Sequence, residues 1–272
     1  MTAMYRVIEN KEKSLGQELK EVWRALPIAW MLARREWKAK YAHTAMGLVW
    51  AVVPLAAYVV VYTLFFSVLL KVETDIPYPL IAFSGLIGWN YFKDIIYNAA
   101  PSLVNEGQFL KRNFLPKLVI PLYKSLLGLV ELGISVMLLL VLLALFQLPV
   151  SAKALLLPAV IALNFLTGFT IAIWVCAFSA RRRDFFHLSA SALNVAIWLT
   201  PVFYQPTLVP EGVRPFLYLN PMATIVEAYR WILLDTPAPP LFAWGSVVVF
   251  LGLLIAGLKI FFIRQHRLID YV

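Results

Sequence analysis

The sequence predicts an all-α membrane protein with six membrane-spanning helices, and three observations lead to this fold class. Hydrophobic residues make up 61% of the chain and charged residues 14%, whereas soluble domains contain about 45–50% apolar and about 25% charged residues. Six apolar segments are each close to the roughly 20 residues that a helix needs to cross a bilayer. Basic residues are concentrated in the N-terminal region and in alternate connections, which predicts both termini on the cytoplasmic side.

The polar N-terminal region, 1–45, is predicted to hold an amphipathic helix along the inner membrane surface. Trp23, Trp30 and Trp37 recur every seven residues, and the apolar positions around them keep near-helical spacing. A proline in the first turn of a helix loses no intrahelical hydrogen bond, so the helix can begin at Pro27. We predict this helix at about 27–42. The alternative is a disordered basic tail with scattered tryptophans.

The six apolar segments lie at about 46–70, 79–100, 118–146, 155–178, 188–204 and 243–263. Together they predict a transmembrane domain at 46–263, followed by a cytoplasmic tail at 264–272. Glu131 lies near the middle of the third segment, where a charge costs roughly 2.5–3.5 kcal/mol on insertion scales. It must be protonated, be paired or face a polar interior, and Asn164 and Asn194 are possible partners.

The polar residues exclude several classes of function. The single cysteine, Cys176, allows neither an intramolecular disulfide nor a thiolate metal cluster, and the three histidines are too scattered to bind a metal. No phosphate loop with its lysine is present, so the chain is predicted to be no enzyme and to hold no cofactor. The net charge of +9 does not indicate nucleic acid, because the basic residues fall between the apolar segments.

Aromatic residues mark three of the predicted spans. They are Tyr58, Tyr62 and Phe65 in the first span, Trp89 in the second, and Trp198 and Tyr204 in the fifth. In the first span the aromatics step by three or four residues and therefore share one side of the helix. Aromatic faces stack on the apolar faces of sugar rings, so an aromatic-lined channel suits a polysaccharide. The alternative is ordinary lipid contact or packing between helices.

Three connections are too organised in sequence to be simple linkers. The segment 101–121 has apolar residues among charged ones and is bounded by prolines, which predicts a short amphipathic helix presented to a soluble partner. The segment 181–187, RRRDFFH, is compact and basic. The segment 200–235 is broken by prolines and predicts two short re-entrant helices in the outer leaflet, which require a cover of protein or a polar cavity.

Four motifs appear in a fixed order along the chain. They are REWKAKYAHTAMGLVW at the first span, NEGQFLKRNFLPKLVIPL after the second, RRRDFFH after the fourth, and TPVFY with VPEGVRPFLYLNP and EAYR after the fifth. With them the chain resembles, over nearly its whole length, the transmembrane subunit of ABC exporters of the polysaccharide type. Such exporters serve O-antigen, capsule or teichoic acid export.

The resemblance implies an assembly and a substrate. The chain would form a homodimer in the bacterial inner membrane, in contact with membrane lipids and with two copies of a separate ATPase that holds ATP and Mg. The substrate would be a lipid-linked glycan, drawn from the cytoplasmic leaflet and pushed outward through a channel lined by the first and fifth spans.

The resemblance also implies roles for individual residues. Coupling to the ATPase would use Glu106, Phe109, Leu110, Lys111 and Arg112. The external gate would contain Pro206, Pro210, Arg214, Asn220, Pro221, Glu227 and Arg230. We add the hypothesis that the lipid pyrophosphate contacts Arg34, Arg35, Lys38, Arg181, Arg182 and Arg183, since guanidinium groups bind phosphate bidentately. The alternative for these charges is that they set topology and contact anionic lipid.

Two other functions compete with polysaccharide export. A related ABC permease that exports a drug or another small amphiphile would share the six spans, but would have less reason for aromatics along the first and fifth. A membrane-embedded glycosyl- or phosphotransferase would need clustered acidic residues to hold a metal and a diphosphate. This reading is disfavoured because Asp184 stands alone among arginines.

Overall fold

In the computed structural model, residues 14–42, 49–69, 75–112, 115–179 and 184–268 are described, and all their regular structure is helical. The α-helices in these ranges are α1 (Leu15–Arg24), α2 (Leu26–Ala42), α3 (Val49–Thr63), α4 (Tyr78–Ala99), α5 (Ser102–Asn105), α6 (Gly107–Arg112), α7 (Val119–Leu126), α8 (Leu129–Leu145), α9 (Leu157–Ser179), α10 (Asp184–Leu199), α11 (Arg214–Leu217), α12 (Pro221–Leu234) and α13 (Trp244–Leu268). A π-helical segment, Leu64–Leu69, extends α3. The all-α prediction is therefore confirmed for these ranges.

The N-terminal helices begin with a capping box. The backbone N–H of Gln17 donates to the Ser14 hydroxyl, and the Gln17 side chain accepts from the Ser14 backbone N–H at 3.0 Å. The predicted helix at 27–42 is present as α2, which buries Ala29 and Ala33 against the protein. The division into polar and apolar faces is sharper in α1 than in α2, and the role of 27–42 as an amphipathic interface helix stays a prediction.

Helix α4 lies at the centre of the bundle and packs against α9, α12, α7 and α8. Its rings and branched side chains are buried around most of its circumference, Trp89 and Tyr91 among them. Close approach of α12 requires Gly88, because a Cβ there would lie 2.8 Å from the Tyr229 ring. Small residues on a central helix thus allow neighbouring helices to pack at short distance.

Among the described residues, three helical stretches are long and apolar enough to cross a membrane: Val119–Leu145, Ala152–Ser179 and Leu241–Gln265. They coincide with the predicted third, fourth and sixth spans. The predicted first, second and fifth spans contain α3, α4 and α10, so the count of six stays a prediction. The helix in the predicted fifth span, α10, runs Asp184–Leu199 instead of 188–204. It ends before position 201 because the proline there cannot continue a helix.

The predicted third span is two helices rather than one. α7 ends at Leu126 and α8 begins at Leu129, with a break at the position of Gly128. The Trp37 indole N–H of α2 donates to the Leu127 carbonyl oxygen at 2.7 Å, which satisfies an acceptor at this break. The N-terminal helix pair is therefore attached to the bundle where the third span is interrupted.

The segment 200–235 contains one long helix instead of two short ones. After a 3-10 turn at Pro206–Leu208 and the single turn α11, α12 runs for 14 residues. The Asn220 side chain caps α12 by accepting from the Met222 N–H at 3.0 Å. Most of α12 is buried against α4 and α9, so protein covers its backbone as the re-entrant prediction requires. Its depth in the membrane stays a prediction.

Candidate functional site

The segment between α4 and α7 is organised as two short helices, α5 and α6, rather than as the one helix predicted. We call residues 101–112, where the resemblance predicts the contact with the ATPase, the coupling segment. Leu110 is buried in the core, while Phe109 is half-buried and packs against its edge. Leu110 therefore anchors the segment, and Phe109 is the better candidate for a surface that a partner contacts. The side chains of Lys111 and Arg112 lie outside the described residues.

Lys124 of α7 connects the coupling segment to α2. Its ammonium group lies 2.7 Å from a Glu36 carboxylate oxygen of α2 and 3.0 Å from a Glu106 oxygen of the coupling segment. The Tyr123 hydroxyl also donates to Glu106, at 3.4 Å. The Lys124 side chain is 14% exposed, so it is largely screened from solvent and neutralises two nearby carboxylates. Its removal would leave those carboxylates facing each other.

A second polar contact attaches the end of α2 to α8. The Glu131 carboxylate accepts hydrogen bonds from Lys40 and from the Tyr41 hydroxyl. Burial raises the pKa of Tyr41, and the carboxylate raises it further. The partners of Glu131 are therefore on α2, and the predicted pairing with Asn164 or Asn194 is wrong.

Asn164 instead joins α9 to α4 and α12. Its side-chain amide donates to the Gly88 carbonyl oxygen at 2.9 Å and lies 3.3 Å from the Tyr229 hydroxyl. Asn164 is fully buried, and these two contacts satisfy its amide N–H groups, which would be costly to leave unpaired there. It acts in helix packing.

The predicted gate residues include one fully buried charge, Arg230 of α12, which is 3% exposed. Its guanidinium group donates to the carbonyl oxygens of Val202 at 2.6 Å, Tyr204 at 3.0 Å and Ile81 at 3.2 Å. Arg230 thus joins α12 to the first turn of α4 and to the chain that follows α10. The guanidinium spreads its donors over three nitrogens in a fixed plane, so it fits three separate acceptors better than a lysine, whose three donors share one nitrogen.

The remaining gate residues surround this point. Asn220 donates to the Thr200 hydroxyl at 2.8 Å, and Arg214 donates to the Val209 carbonyl oxygen at 3.2 Å. Pro206 and Pro221 are buried, while Pro210 is exposed. Glu227 is half-buried and lies close to the Tyr218 hydroxyl. The structure therefore brings these residues together at one end of the bundle.

Comparison with known proteins decides the family. Residues 29–234 match the family model described as ABC-2 type transporter. The chain belongs to the ABC-2 type transporter family. It is 28% identical over 248 residues to the O-antigen export system permease protein RfbA of Myxococcus xanthus, covering 89% of this chain and 94% of that protein.

Two further relatives come from Klebsiella pneumoniae, and both are named O-antigen export system permease protein RfbA. They are 20% and 22% identical to this ABC-2 chain over 241 residues, which is 87% of the chain and 92% of each relative. The resemblance to ABC permeases found in the sequence is confirmed, and the chain is a transport subunit of this family.

The predicted channel aromatics of this ABC-2 permease occupy different environments. Tyr58, Phe65 and Trp198 are 46%, 47% and 58% exposed, while Tyr204 is half-buried. The Tyr62 side chain lies outside the described residues. Trp89 is 2% exposed and packs in the core of the single chain, and its role as a channel residue stays a prediction.

The predicted phosphate-contacting residues of α2 are exposed. Arg34, Arg35 and Lys38 lie on the side of α2 opposite Ala29 and Ala33 at 100° per residue, and all three are exposed. Their charges are therefore available to a membrane surface. Arg181, Arg182 and Arg183 lie outside the described residues.

Sequence reasoning missed Lys124 and Glu36 as paired residues. Lys124 is a lone cation in an otherwise apolar stretch that follows the coupling segment. A charge in such a stretch indicates a paired or interior position. That signal could have marked Lys124, although not which carboxylates it contacts.

Proposed function

We propose that this chain is the permease subunit of an ATP-driven exporter that moves a lipid-linked polysaccharide outward across the bacterial inner membrane. The observation that carries the proposal is the exposure of aromatic side chains on α3 and α10, in a chain that spans nearly the full length of O-antigen export permeases. Two copies would enclose the channel between these helices. Both chain termini would be cytoplasmic, and the re-entrant α12 would form part of the external gate.

Exposure on α3 and α10 supports the dimer. Although α10 is strongly apolar, Leu193 is the one buried residue in its described range, Asp184–Leu199. An apolar helix with so little intrachain cover needs lipid or a second copy around it. Since Trp198 and Tyr58 have amphipathic rings, they suit a face that contacts sugars better than one that contacts only lipid tails.

The coupling segment would transmit the ATPase cycle. A separate ATPase would hold ATP and Mg and would contact Phe109 and its charged neighbours. Closure of the ATPase dimer would push on α5 and α6, and the ion pairs of Lys124 would pass that displacement to α2. On the same side, Arg34, Arg35 and Lys38 would receive the pyrophosphate of the lipid carrier.

The test is ATP-dependent movement of a lipid-linked glycan in proteoliposomes that contain this chain and its ATPase. Phe109→Ala should lower glycan movement, because it removes a ring at the partner surface. Leu110 is left intact since its truncation would also loosen the segment. Phe146→Ala is the matched control, as this ring is 44% exposed at the end of α8 remote from the segment.

Each outcome has a clear meaning. Movement that requires the ATPase and falls in Phe109→Ala, but not in Phe146→Ala, supports the proposal. ATP hydrolysis with movement of a small amphiphile and none of glycan would replace the polysaccharide substrate by that amphiphile.

A further inference from the structure

A cavity of about 670 Å³ lies at the end of the bundle opposite the coupling segment. Its walls come from the chain before α4, the segment 205–218, α12 and the connection 235–242. The 22 residues of α4 separate this cavity from the coupling segment by about 33 Å, at 1.5 Å per residue. In the proposed topology the cavity therefore opens on the outer side of the membrane.

The Glu227 carboxylate belongs to the wall of the cavity. One Glu227 carboxylate oxygen, Oε2, is buried and lacks a hydrogen bond among the described residues. The Tyr218 hydroxyl lies close to this carboxylate, and each oxygen of a carboxylate can accept hydrogen bonds. An unsatisfied buried acceptor costs about 1–3 kcal/mol. A ligand in the cavity that donates a hydroxyl to this carboxylate would offset part of that cost.

The other walls supply an aromatic face and further acceptors. The Tyr218 and Phe242 rings meet edge to face with centroids 5.4 Å apart. Gln205 and Glu211 add an amide and a carboxylate to the lining. The two arginines of the cavity, in contrast, already donate to backbone carbonyl oxygens. Rings combined with acceptors suit a molecule that has apolar C–H faces and many hydroxyl donors.

Other ligand classes fit this cavity less well. An anion would meet the carboxylates of Glu211 and Glu227. A metal ion lacks a ligand set, since the described residues contain no group of three His, Cys, Asp or Glu side chains that could hold one. An acyl chain would leave the Glu227 oxygen unsatisfied. The volume lies within the range of about 300–1,000 Å³ that is usual for small-molecule sites.

We propose that this cavity is a sugar-binding site, which takes one or two rings of the glycan as it leaves the channel. The Glu227 carboxylate accepts from a sugar hydroxyl, and the rings of Tyr218 and Phe242 cover the apolar face of the sugar. This inference rests on the proposed export of a polysaccharide for its biological ligand. The binding test below is independent of transport.

The experiment measures saturation-transfer NMR on the chain in nanodiscs, without the ATPase. The probes are methyl glycosides of glucose, galactose, mannose, rhamnose and N-acetylglucosamine. We expect saturation transfer to at least one glycoside, with binding about tenfold weaker in Glu227→Leu, the loss expected for one hydrogen bond to a charged group. Phe242→Ala should weaken binding as well, and because this ring is 61% exposed its removal leaves the fold intact.

A cysteine probe locates the site. Cys176 is buried and is the one cysteine of the chain, so a membrane-impermeant maleimide should label Ala238→Cys at the cavity and leave the parent chain unlabelled. The glycoside that gave saturation transfer should slow that labelling. Phe146→Ala should leave glycoside binding unchanged, because its ring does not line the cavity.

Absence of saturation transfer to all five glycosides, or transfer that persists in both Glu227→Leu and Phe242→Ala, would overturn the inference. Glycan export combined with absent glycoside binding removes the site and leaves the proposed function standing. Glycoside binding combined with export of only a small amphiphile removes the proposed function and leaves a sugar site in the cavity.

Discussion

Replacing Lys124 by methionine is expected to weaken the link between ATP hydrolysis and transport. The methionine fills a similar volume but removes the cation that lies 2.7 Å from Glu36 and 3.0 Å from Glu106. These carboxylates are 39% and 30% exposed, and Lys124 is 14% exposed. The burial of these two ion pairs is therefore intermediate. Exposed ion pairs contribute about 0–1 kcal/mol to stability, and breaking a buried one costs about 3–5 kcal/mol.

An intermediate cost of about 2 kcal/mol corresponds to a change of about 30-fold in the equilibrium between connected and separated positions of α2 and the coupling segment. Glycan moved per ATP hydrolysed in proteoliposomes should fall by about tenfold or more, while ATP hydrolysis continues. Lys153→Met is the matched control, since Lys153 pairs at 2.6 Å with Asp235, both side chains are exposed, and the pair is remote from the coupling segment.

A folded Lys124→Met variant that keeps the wild-type ratio of glycan moved to ATP hydrolysed would refute this reasoning. Adding Glu36→Gln and Glu106→Gln to Lys124→Met separates two causes. If repulsion between the two carboxylates causes the transport defect, the neutral triple variant should recover both stability and transport. If the lost connection causes it, the triple variant should stay impaired in transport.

Three further predictions concern packing and the attachment of α2. Arg230→Met should lower stability by about 3–5 kcal/mol, because three buried carbonyl oxygens lose their donor. The midpoint of thermal unfolding in detergent measures this loss, and Arg230→Lys should give a smaller one. Gly88→Ala should lower the free energy of unfolding by about 1–3 kcal/mol, since the new Cβ would lie 2.8 Å from the Tyr229 ring. The control is Gly133→Ala, whose Cβ would have no atom of another element within 4 Å and should leave the unfolding midpoint near that of the wild type. Glu131→Leu should speed amide hydrogen exchange in the last turn of α2, because it removes the acceptor there; unchanged exchange would show that this contact does not hold the helix.

Long apolar runs predict α4, α9 and α13, and most of the predicted ends of these helices lie within a few residues of the observed ones. Burial or lipid contact favours an uninterrupted helix in such a run. The break between α7 and α8 is not visible in such a run, since Gly128 is tolerated inside apolar helices and the indole that satisfies the Leu127 carbonyl comes from a distant helix. Local pattern therefore predicts helices better than it predicts where helices are interrupted.

Residue roles were harder to predict than helices, and the reason is tertiary packing. Tyr58 and Trp89 look alike in the sequence, as aromatic residues of apolar segments, yet one is 46% exposed and the other 2% exposed. The difference arises because α4 is surrounded by other helices whereas α3 is not. Glu131 likewise pairs with α2 instead of Asn164, because the break in the third span brings α2 close to the start of α8.

The position of α4 gives a physical route between the two ends of the permease. Its first turn supplies the Ile81 carbonyl oxygen that Arg230 binds at the proposed external gate, and its last turn continues into the coupling segment, where Glu106 contacts Lys124. Proline occurs in α4 only in its first turn, so no proline interrupts the backbone hydrogen bonds between the two ends of the helix. Because its sides are closely packed, movement along or across the axis must shift α12 and α9 as well. A push on the coupling segment would then reach the outer cavity without any separate linkage, which is the mechanical requirement of an exporter driven from the cytoplasmic side.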